Sequence, residues 1–367
     1  MKLYLDNIIF ALQRSGGISV YWSEILKHIL ASGTPAQVLE HPEALLNIQR
    51  RMMEMPAESI INDTSIPLNI ARYLPALPSC PQADIFHSSY YRTPWQRDLK
   101  QVVTVYDFTY EFFRSGIRRF VHKRQKQQAI LGAAGIICIS ESTKQDLLRL
   151  YPTIPAERTR VIHLGVSDAY HPIEGDSALP DDLKWICKTK YIIFIGDRSI
   201  YKNFDLAVQA VGRLKGCHLV IVGGSQLTGK EYDLVELYLN NRYRHMLGVS
   251  EFTLNLIYNY AFCLLYPSRY EGFGLPPLEA MRAGCPVVAV NCSSLPEVCG
   301  KAALLADIPD SDLFVEQIIA LEYSNFRQEM IDRCGEQAKK FTWENTGRKT
   351  MDFYHEVATG SNVDYCL

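Results

Sequence analysis

The sequence lacks the features that mark several large classes of protein. Its ten cysteines are scattered, with no C-x-x-C pair and no grouping with histidine at zinc-like spacing. It has no run of about 18 apolar residues, and a charge at Lys2 interrupts what would be the core of a signal peptide. We therefore expect a cytoplasmic protein that is neither exported nor membrane-spanning. Thiols such as Cys138, Cys263 and Cys285, which lie in apolar runs, are expected to be reduced and buried.

The chain also lacks a large net charge of either sign, since its formal net charge is -2. This balance argues against binding of nucleic acid by the whole molecule, and we expect no nucleic-acid partner. One segment departs from the balance, because no carboxylate occurs between Glu111 and Glu141. Residues 112–128 therefore predict peripheral attachment to an anionic membrane, with about 1 kcal/mol from each basic residue, although an ordinary solvated basic face is the alternative. The basic residues are Arg114, Arg118, Arg119, Lys123, Arg124 and Lys126.

What the chain does have is enough apolar sequence for two domains. It has 367 residues, of which 47% are hydrophobic, and single cores stop growing near about 250–300 residues. Short apolar runs alternate with amphipathic stretches, which is typical of parallel α/β layers. We predict a first domain over 1–170, a linker over 171–184 and a second domain over 185–345, with a terminal helix at 346–358 that packs back on the first domain. Ligands of such sheets lie beyond the carboxyl ends of the strands, so two facing sheets form a cleft.

A glycine loop follows the apolar run Tyr260–Tyr266, which reads as a buried strand. Backbone amides at Gly272, Phe273, Gly274 and Leu275, with the start of the helix that follows, would favour a pyrophosphate. Proline at 276 or 277 suits the first turn of that helix. The alternative is a strand-loop-helix joint whose acids merely complement the helix.

Two glutamates, Glu271 and Glu279, flank this loop and helix start. Glu279, one turn into the helix, would accept hydrogen bonds from a ribose diol, and Glu271 would face the sugar beyond the phosphates. Arg198 and Lys202 follow the strand Tyr191–Ile195, and two cations there would neutralise a diphosphate. Solvated loop residues are the alternative for both cations.

The first half of the chain offers weaker candidates. Gly16 and Gly17 follow the first strand and would let the backbone approach a phosphate, or would simply serve a flexible turn. Asp107 ends the strand Val102–Tyr106 and would bind sugar hydroxyls or exchange a proton, or would cap the next helix. His87 is expected to be a satisfied polar residue, and Ser140 is expected to cap a helix.

We identify no metal site. Asp310-Ser-Asp312 has the D-x-D form, but it lies in a Pro-flanked loop well after the strands of the sheet. Positive charge from Arg198, Lys202 and the helix start would replace a divalent ion at the leaving diphosphate. We therefore expect no metal and no cofactor.

Together these segments resemble the retaining nucleotide-sugar glycosyltransferases of the two-lobed GT-B fold, in particular the family-4 group of bacterial polysaccharide assembly. The pair Glu271 and Glu279, spaced E-x7-E, is the most specific mark. The resemblance covers most of the chain. The other segments that show the resemblance are Gly196–Asn203, Tyr266–Pro276, Ala283–Val288, Leu295–Glu297 and Phe341–Glu344.

The resemblance implies two facing Rossmann-like domains, of which the first binds the acceptor and the second binds the nucleotide sugar. It also implies metal-independent, retaining transfer from the nucleotide sugar to a lipid-linked oligosaccharide in O-antigen or capsule synthesis. By the same likeness, Glu279 would bind the donor ribose, Glu271 the transferred sugar, and Arg198 with Lys202 the diphosphate. Gly17 would sit under the donor phosphates, and backbone near 243–247 would recognise the base. No residue stands out as a nucleophile, so front-face attack is implied.

One departure from the family pattern concerns Tyr106. Many members have Thr-x-His-Asp where this chain has Thr104-Val-Tyr-Asp107. The tyrosine would still donate a hydrogen bond, or the change would accompany an unusual sugar such as a deoxy or amino hexose.

Two other functions remain open from the sequence. A two-lobed sugar-nucleotide epimerase would change the nucleotide sugar without an acceptor. A non-catalytic scaffold would bind the donor but would not show even slow hydrolysis of it.

Overall fold

The structure, a computed structural model, describes residues 1–64, 66–77, 80, 82–96, 98–173 and 179–360 of the chain. The chain divides into two compact units, which are Met1–Gly165 with the chain from Trp343 onward, and Val166–Thr342. The predicted domain limits stay predictions, and residues 174–178 of the predicted linker lie outside the described residues.

The first unit is built on a parallel sheet of seven strands in the order β3-β2-β1-β4-β5-β6-β7. Its middle strands β1, β4 and β6 are buried along their whole length, as expected for a parallel sheet with helices on both faces. The strands are β1 Leu3–Asp6, β2 Ala36–Glu40, β3 Ile60–Asn62, β4 Ile85–Ser88, β5 Lys100–Val105, β6 Gly135–Cys138 and β7 Thr159–Val161. The helices are α1 Ile8–Leu12, α2 Gly17–Ala31, α3 Ile48–Met52, α4 Leu68–Ala71, α5 Thr109–Phe113, α6 Ile117–Gly132 and α7 Glu141–Leu150.

The second unit repeats the same plan with six parallel strands in the order β10-β9-β8-β11-β12-β13. Ile192, Leu219, Leu265 and Val288 lie in its core. The strands are β8 Tyr191–Ile195, β9 His218–Val222, β10 Tyr243–Met246, β11 Cys263–Tyr266, β12 Val287–Val290 and β13 Ala303–Ala306. The helices are α8 Phe204–Arg213, α9 Gly229–Leu239, α10 Glu251–Tyr260, α11 Leu275–Arg282, α12 Leu295–Cys299, α13 Ser311–Ala320 and α14 Ser324–Ala338.

The last helix, α15 (Trp343–Thr359), packs on the first unit. The Tyr354 hydroxyl and the His87 Nδ1 atom are 2.6 Å apart. A Cβ atom added at Gly347 would lie 2.3 Å from the His28 Cγ atom on α2, and one at Gly135 would lie 2.6 Å from the Val357 Cγ2 atom. Glycine at these two positions therefore allows α15 to approach α2 and β6 closely.

One boundary predicted from the sequence is wrong. The strand predicted to begin at Tyr260 begins at Cys263. Tyr260 is instead the last residue of α10, whose apolar end runs directly into the strand in the sequence. The predicted burial of Cys138, Cys263 and Cys285 is confirmed, and each is a free thiol.

Candidate active site

The two loops with the strongest sequence signal leave neighbouring strands of the second sheet. Strand β8 ends at Ile195 and pairs with β11, which ends at Tyr266. Sequence order in the sheet reverses between these two strands. At such a switch point the loops diverge to opposite faces, which leaves room for a ligand beyond the carboxyl ends.

The loop after β8 is tied to the loop after β11 by Asn203. This residue has the left-handed backbone φ of 49° at the N-cap of α8, and its Nδ2 atom donates to the Pro267 carbonyl oxygen over 2.6 Å. Asparagine tolerates this conformation better than most residues. The contact fixes Lys202, the residue before it, against the second loop.

Lys202 and Glu271 form an ion pair at this point. The Lys202 Nζ atom lies 2.6 Å from Glu271 Oε1 and 2.9 Å from the Tyr266 hydroxyl oxygen. The two charged side chains are only 12% and 14% exposed. Burial by itself would lower the pKa of Lys202, but the adjacent Glu271 carboxylate outweighs it, so the pKa is raised and the lysine is cationic.

The glycine loop is held in place by two serines that follow β12. The Ser294 hydroxyl donates to the carbonyl oxygens of Glu271 and Phe273, over 2.9 and 2.7 Å, and the Ser293 hydroxyl accepts from the Glu271 backbone N–H. Neither serine was predicted from the sequence. Their position directly beyond a buried strand, at the same sheet edge, was the available signal.

Gly272, Phe273 and Gly274 lead directly into α11, which begins at Leu275. Gly274 has a φ of +112°, and a Cβ atom there would lie 3.0 Å from Leu295 Cδ2, so this position requires glycine. The prolines predicted for the first turn of this helix are confirmed. The start of α11, with its positive dipole end, therefore lies next to Glu271.

Glu279 lies one turn into α11 and contacts a tyrosine. The Tyr258 hydroxyl donates to Glu279 Oε2 over 3.3 Å, and Tyr170 packs edge-on against Tyr258 at 5.9 Å between ring centroids. Burial raises the pKa of Glu279 to about 7, and the Tyr258 hydrogen bond only partly opposes it. A carboxyl group with this pKa is poised between hydrogen-bond donor and acceptor near neutral pH.

Arg198, predicted to contact the diphosphate with Lys202, has other partners in the structure. Its Nε atom lies 2.9 Å from Glu231 Oε1, and its Nη2 atom donates to the carbonyl oxygens of Ser225 and Gln226 over 2.6 and 3.0 Å. The side chain is 3% exposed. The structure therefore brings Lys202 and Glu271 together but assigns Arg198 to the loop after β9.

In the first unit, Gly16 is the N-cap of α2 and Gly17 is its first residue, so both lie at the start of a 15-residue helix. The backbone N–H of Thr109, the first residue of α5, donates to Asp107 Oδ1 over 2.9 Å, so Asp107 supports the start of this helix, although the N-cap residue itself is Phe108. The side chain of Asp107 is half-buried beyond β5.

Three polar residues near these positions have their hydrogen bonds accounted for. The Tyr106 hydroxyl donates to the Ser89 carbonyl oxygen over 3.0 Å. His87 is buried between Tyr354 and Thr104, as expected, and burial lowers its pKa to about 3. Ser140 caps α7 by accepting from the Thr143 backbone N–H, which confirms its predicted role.

The basic stretch is mostly but not entirely at the surface. Arg114, Lys123 and Arg124 are exposed. Lys126 is not, because its ammonium group is buried against Glu111 at 3.2 Å and over the Phe108 ring at 3.7 Å, so its assignment to the membrane-binding surface is wrong. The side chain of Arg118 lies outside the described ones.

Within the described ranges, no helix is both long and apolar enough to cross a membrane. The same part of the chain contains no cluster of three or more His, Cys, Asp or Glu side chains suited to a metal ion. Asp310 of the D-x-D sequence instead caps α13, accepting from the backbone N–H groups of Asp312 and Leu313.

Comparison with known proteins identifies the family. Residues 178–341 match the family described as glycosyl transferases group 1, and residues 15–170 match Glycosyltransferase Family 4. The O-antigen chain mannosyltransferase B of Escherichia coli is 32% identical over 284 residues, which are 74% of this chain and 74% of that protein. The chain belongs to the group 1 glycosyltransferases.

A second relative of this glycosyltransferase is the serotype-specific mannosyltransferase WbdA of Escherichia coli, 28% identical over 243 residues, which are 62% of this chain but only 29% of WbdA. Among solved structures, the sucrose-phosphate synthase of Thermosynechococcus elongatus superposes with a TM-score of 0.77 at 17% identity, covering 98% of this chain and 100% of that one. The predicted family and GT-B fold are thereby confirmed.

Proposed function

We propose that this glycosyltransferase moves a sugar from a nucleotide-diphosphate donor to a hydroxyl group of a lipid-linked glycan, with retention of anomeric configuration, in O-antigen synthesis. The observation that carries the proposal is the junction of Lys202, Glu271 and the start of α11 at the switch point of the second sheet. Both Escherichia coli relatives are mannosyltransferases by name, so mannose is the first sugar to consider.

Lys202 binds the donor diphosphate in this proposal. It is cationic, largely enclosed and already held beside the helix start, so it needs little rearrangement to donate to a phosphate oxygen as a further partner. The amides of Gly272, Phe273, Gly274 and Leu275 add hydrogen-bond donors and the positive end of the α11 dipole. Both stabilise the charge that develops as the diphosphate leaves.

The two glutamates bind hydroxyl groups on either side of the diphosphate. Glu271, paired with Lys202, accepts from hydroxyls of the transferred sugar. Glu279 accepts from the ribose diol, and its enclosure with Tyr258 makes binding dependent on its protonation. Two hydroxyls of a diol match the two oxygens of one carboxylate.

A phosphate-binding role for Arg198 requires an exchange of partners. The guanidinium would have to leave Glu231 or the carbonyl oxygens of Ser225 and Gln226 before it reached a phosphate. Without that exchange, Lys202 and the helix start supply the positive charge.

Transfer proceeds by front-face attack in this proposal. The acceptor hydroxyl enters on the face from which the diphosphate departs, and a donor phosphate oxygen takes its proton. The enzyme contributes by holding the reactants and by stabilising the leaving charge, without a metal ion or cofactor.

The enzyme attaches peripherally to the cytoplasmic face of the membrane, where a lipid-linked acceptor would be presented. Support comes from exposed cations at Arg114, Lys123 and Arg124 beside Phe120, which is 65% exposed. Cations attract anionic headgroups, and an exposed aromatic ring suits the interface.

A donor screen followed by product analysis tests the function. Thermal shift with GDP-mannose and with UDP-, dTDP- and CDP-sugars identifies the donor, and transfer to a lipid-linked acceptor is then followed with and without EDTA. We expect transfer in EDTA and, by NMR, a product with the anomeric configuration of the donor. An inverted product would refute retention, loss of activity restored by Mg²⁺ would refute metal independence, and an altered nucleotide sugar formed without acceptor would indicate an epimerase.

A further inference from the structure

Five side chains in the first unit form a continuous ladder of aromatic and cationic groups. The Arg72 guanidinium carbon lies 5.2 Å from the centroid of the Tyr73 ring and 6.0 Å from that of Tyr90. Tyr90 packs on His122 at 5.7 Å between centroids, and His122 stacks on Tyr110 at 4.0 Å with an interplanar angle of 19°. The order is therefore Tyr73, Arg72, Tyr90, His122, Tyr110.

The ladder lies where ligands of parallel sheets bind. Tyr90 follows β4, which adjoins β1 at the point where the order of the first sheet reverses, and Tyr110 lies in α5, beyond the end of β5. His122 reaches the same edge from α6. The carboxyl edge at a switch point is the expected location of a ligand in this architecture.

The interior of the ladder is fixed, whereas its two ends face solvent. The Tyr90 hydroxyl oxygen and His122 Nε2 are 2.8 Å apart, and the Gln125 amide donates to the Arg72 carbonyl oxygen. Tyr73 is 44% exposed and Tyr110 is 36% exposed. Rigid support of exposed tyrosine rings lowers the entropy lost when a ligand binds to them.

The polar groups of the ladder are only partly used by the protein. Arg72 Nε and His122 Nδ1 are buried and have no hydrogen-bond partner among the described residues. Burial and, to a smaller extent, the charge of Lys126 lower the pKa of His122 to about 4, so this imidazole is neutral at neutral pH. Within the ladder, Arg72 is then the one charged group.

We propose that this ladder is a platform for sugar rings of the acceptor glycan. The apolar C–H face of one sugar stacks on the exposed ring of Tyr73, where the neighbouring Arg72 guanidinium donates to its hydroxyls, and that of another sugar stacks on the exposed ring of Tyr110. The proposal deepens the proposed function and rests on it. Tyrosine and arginine combine an apolar face with hydrogen-bonding groups, as a sugar requires. The purely apolar rings exposed nearby, Phe112, Phe113 and Phe120, suit a lipid surface instead.

Kinetics with a synthetic acceptor tests the platform. Tyr110→Ala and Tyr73→Ala are measured for transfer to a mannose disaccharide on an octyl chain, with the donor identified by the screen. We expect each to raise the acceptor KM roughly 2- to 10-fold, as the loss of one stacking contact implies, with the donor KM unchanged. Tyr110→Phe keeps the ring and should behave as wild type, and Tyr323→Ala, at a tyrosine 72% exposed in the second unit, is the matched control.

Three outcomes would overturn the proposal. These are an unchanged acceptor KM in both alanine variants, an equal rise in Tyr323→Ala, and weaker binding to saccharide-free anionic vesicles with no change in acceptor KM. The last would make the ladder a lipid contact. If the wild-type enzyme transfers no sugar from any donor, the proposed function itself fails, which is a different result from normal transfer with unaltered kinetics in the variants.

Discussion

Two buried charged groups of the second unit show how the partner of a residue decides its protonation. Lys202 is enclosed but has Glu271 at 2.6 Å, so its pKa is raised and its charge is kept. Glu279 is enclosed beside the uncharged Tyr258 hydroxyl, so burial favours the neutral form of its carboxyl group and raises its pKa to about 7. Burial is similar in the two cases, and the presence or absence of an opposite charge makes the difference.

Replacing Lys202 with alanine should lower the transfer rate by roughly 10²- to 10³-fold, because the positive charge at the leaving diphosphate is lost. Titration calorimetry should show weakened binding of the nucleoside diphosphate and little change for the nucleoside. Lys190→Ala is the control, since Lys190 pairs with Glu322 at the surface of the same unit. Near-normal turnover of the Lys202 variant would refute its assigned role.

Glu279→Gln should stabilise the ligand-free protein at high pH. The folded state holds the Glu279 proton more tightly than the unfolded chain, so its favourable contribution is complete below the ordinary pKa of 4.5 and is lost as the pH rises to about 7. Glutamine avoids this loss, and we expect a gain on the order of 1–3 kcal/mol at about pH 8 and little near pH 4.5.

Melting temperatures of the Glu279→Gln variant and the wild type, measured at both pH values, check this. Glu316→Gln, on an exposed position of α13, is expected to change the melting temperature little at either pH. A gain for Glu279→Gln that is equal at low and high pH would contradict the explanation.

At the scale of elements, α14 and α15 show that glycines on two helices can have opposite effects on stability. Gly347 lies where α15 touches α2, and a Cβ atom there would be 2.3 Å from the His28 Cγ atom, which is near the backbone and cannot easily move away. Gly335 on α14 has no neighbouring atom within 4 Å of the added Cβ position. The same substitution therefore meets a packed interface in one helix and open space in the other.

Gly347→Ala should lower the free energy of unfolding by about 1–3 kcal/mol through overpacking against α2. Gly335→Ala should raise it by about 0.5–1 kcal/mol, because alanine is the better helix former. Chemical denaturation of both variants measures the difference. Stabilisation by Gly347→Ala would show that α15 does not pack tightly on α2.

At the scale of the whole molecule, a net charge of -2 conceals a local excess of one sign. Exposed cations around α6 provide it, although the burial of Lys126 makes this surface smaller than the sequence predicts. Electrostatic attraction depends on the local cluster rather than on the total, because charges more than about 10 Å apart are screened at ordinary salt concentration.

Reversing two of these charges, Lys123→Glu with Arg124→Glu, should weaken binding to anionic vesicles at least about tenfold, since each cation contributes about 1 kcal/mol. Flotation with phosphatidylglycerol vesicles measures it. The control, Arg333→Glu on α14 with Lys339→Glu directly after its last residue, makes the same change in net charge elsewhere. Equal weakening in both would mean that the total charge, and not this surface, determines attachment.

Much of the fold and part of the site could be predicted from the sequence. The strands β8, β9 and β12 are apolar runs with turn residues at their ends, and E-x7-E with its glycines locates the loop before α11. The short edge strands β3, β10 and β13, the inner strand β2 and the helix α10 were not predicted, because partly exposed strands and a buried helix have weak or ambiguous periodicity.

The sequence by itself determined the parallel α/β architecture and the family, because these depend on local periodicity and on residues close together along the chain. Only the tertiary structure decided which charges meet. In the folded chain, Lys202 pairs with Glu271 and Arg198 pairs with Glu231. Lys126 is buried against Glu111, and Tyr110 stacks on His122. A side chain's partners come from distant segments, and whether a charge is enclosed or solvated follows from how those segments pack.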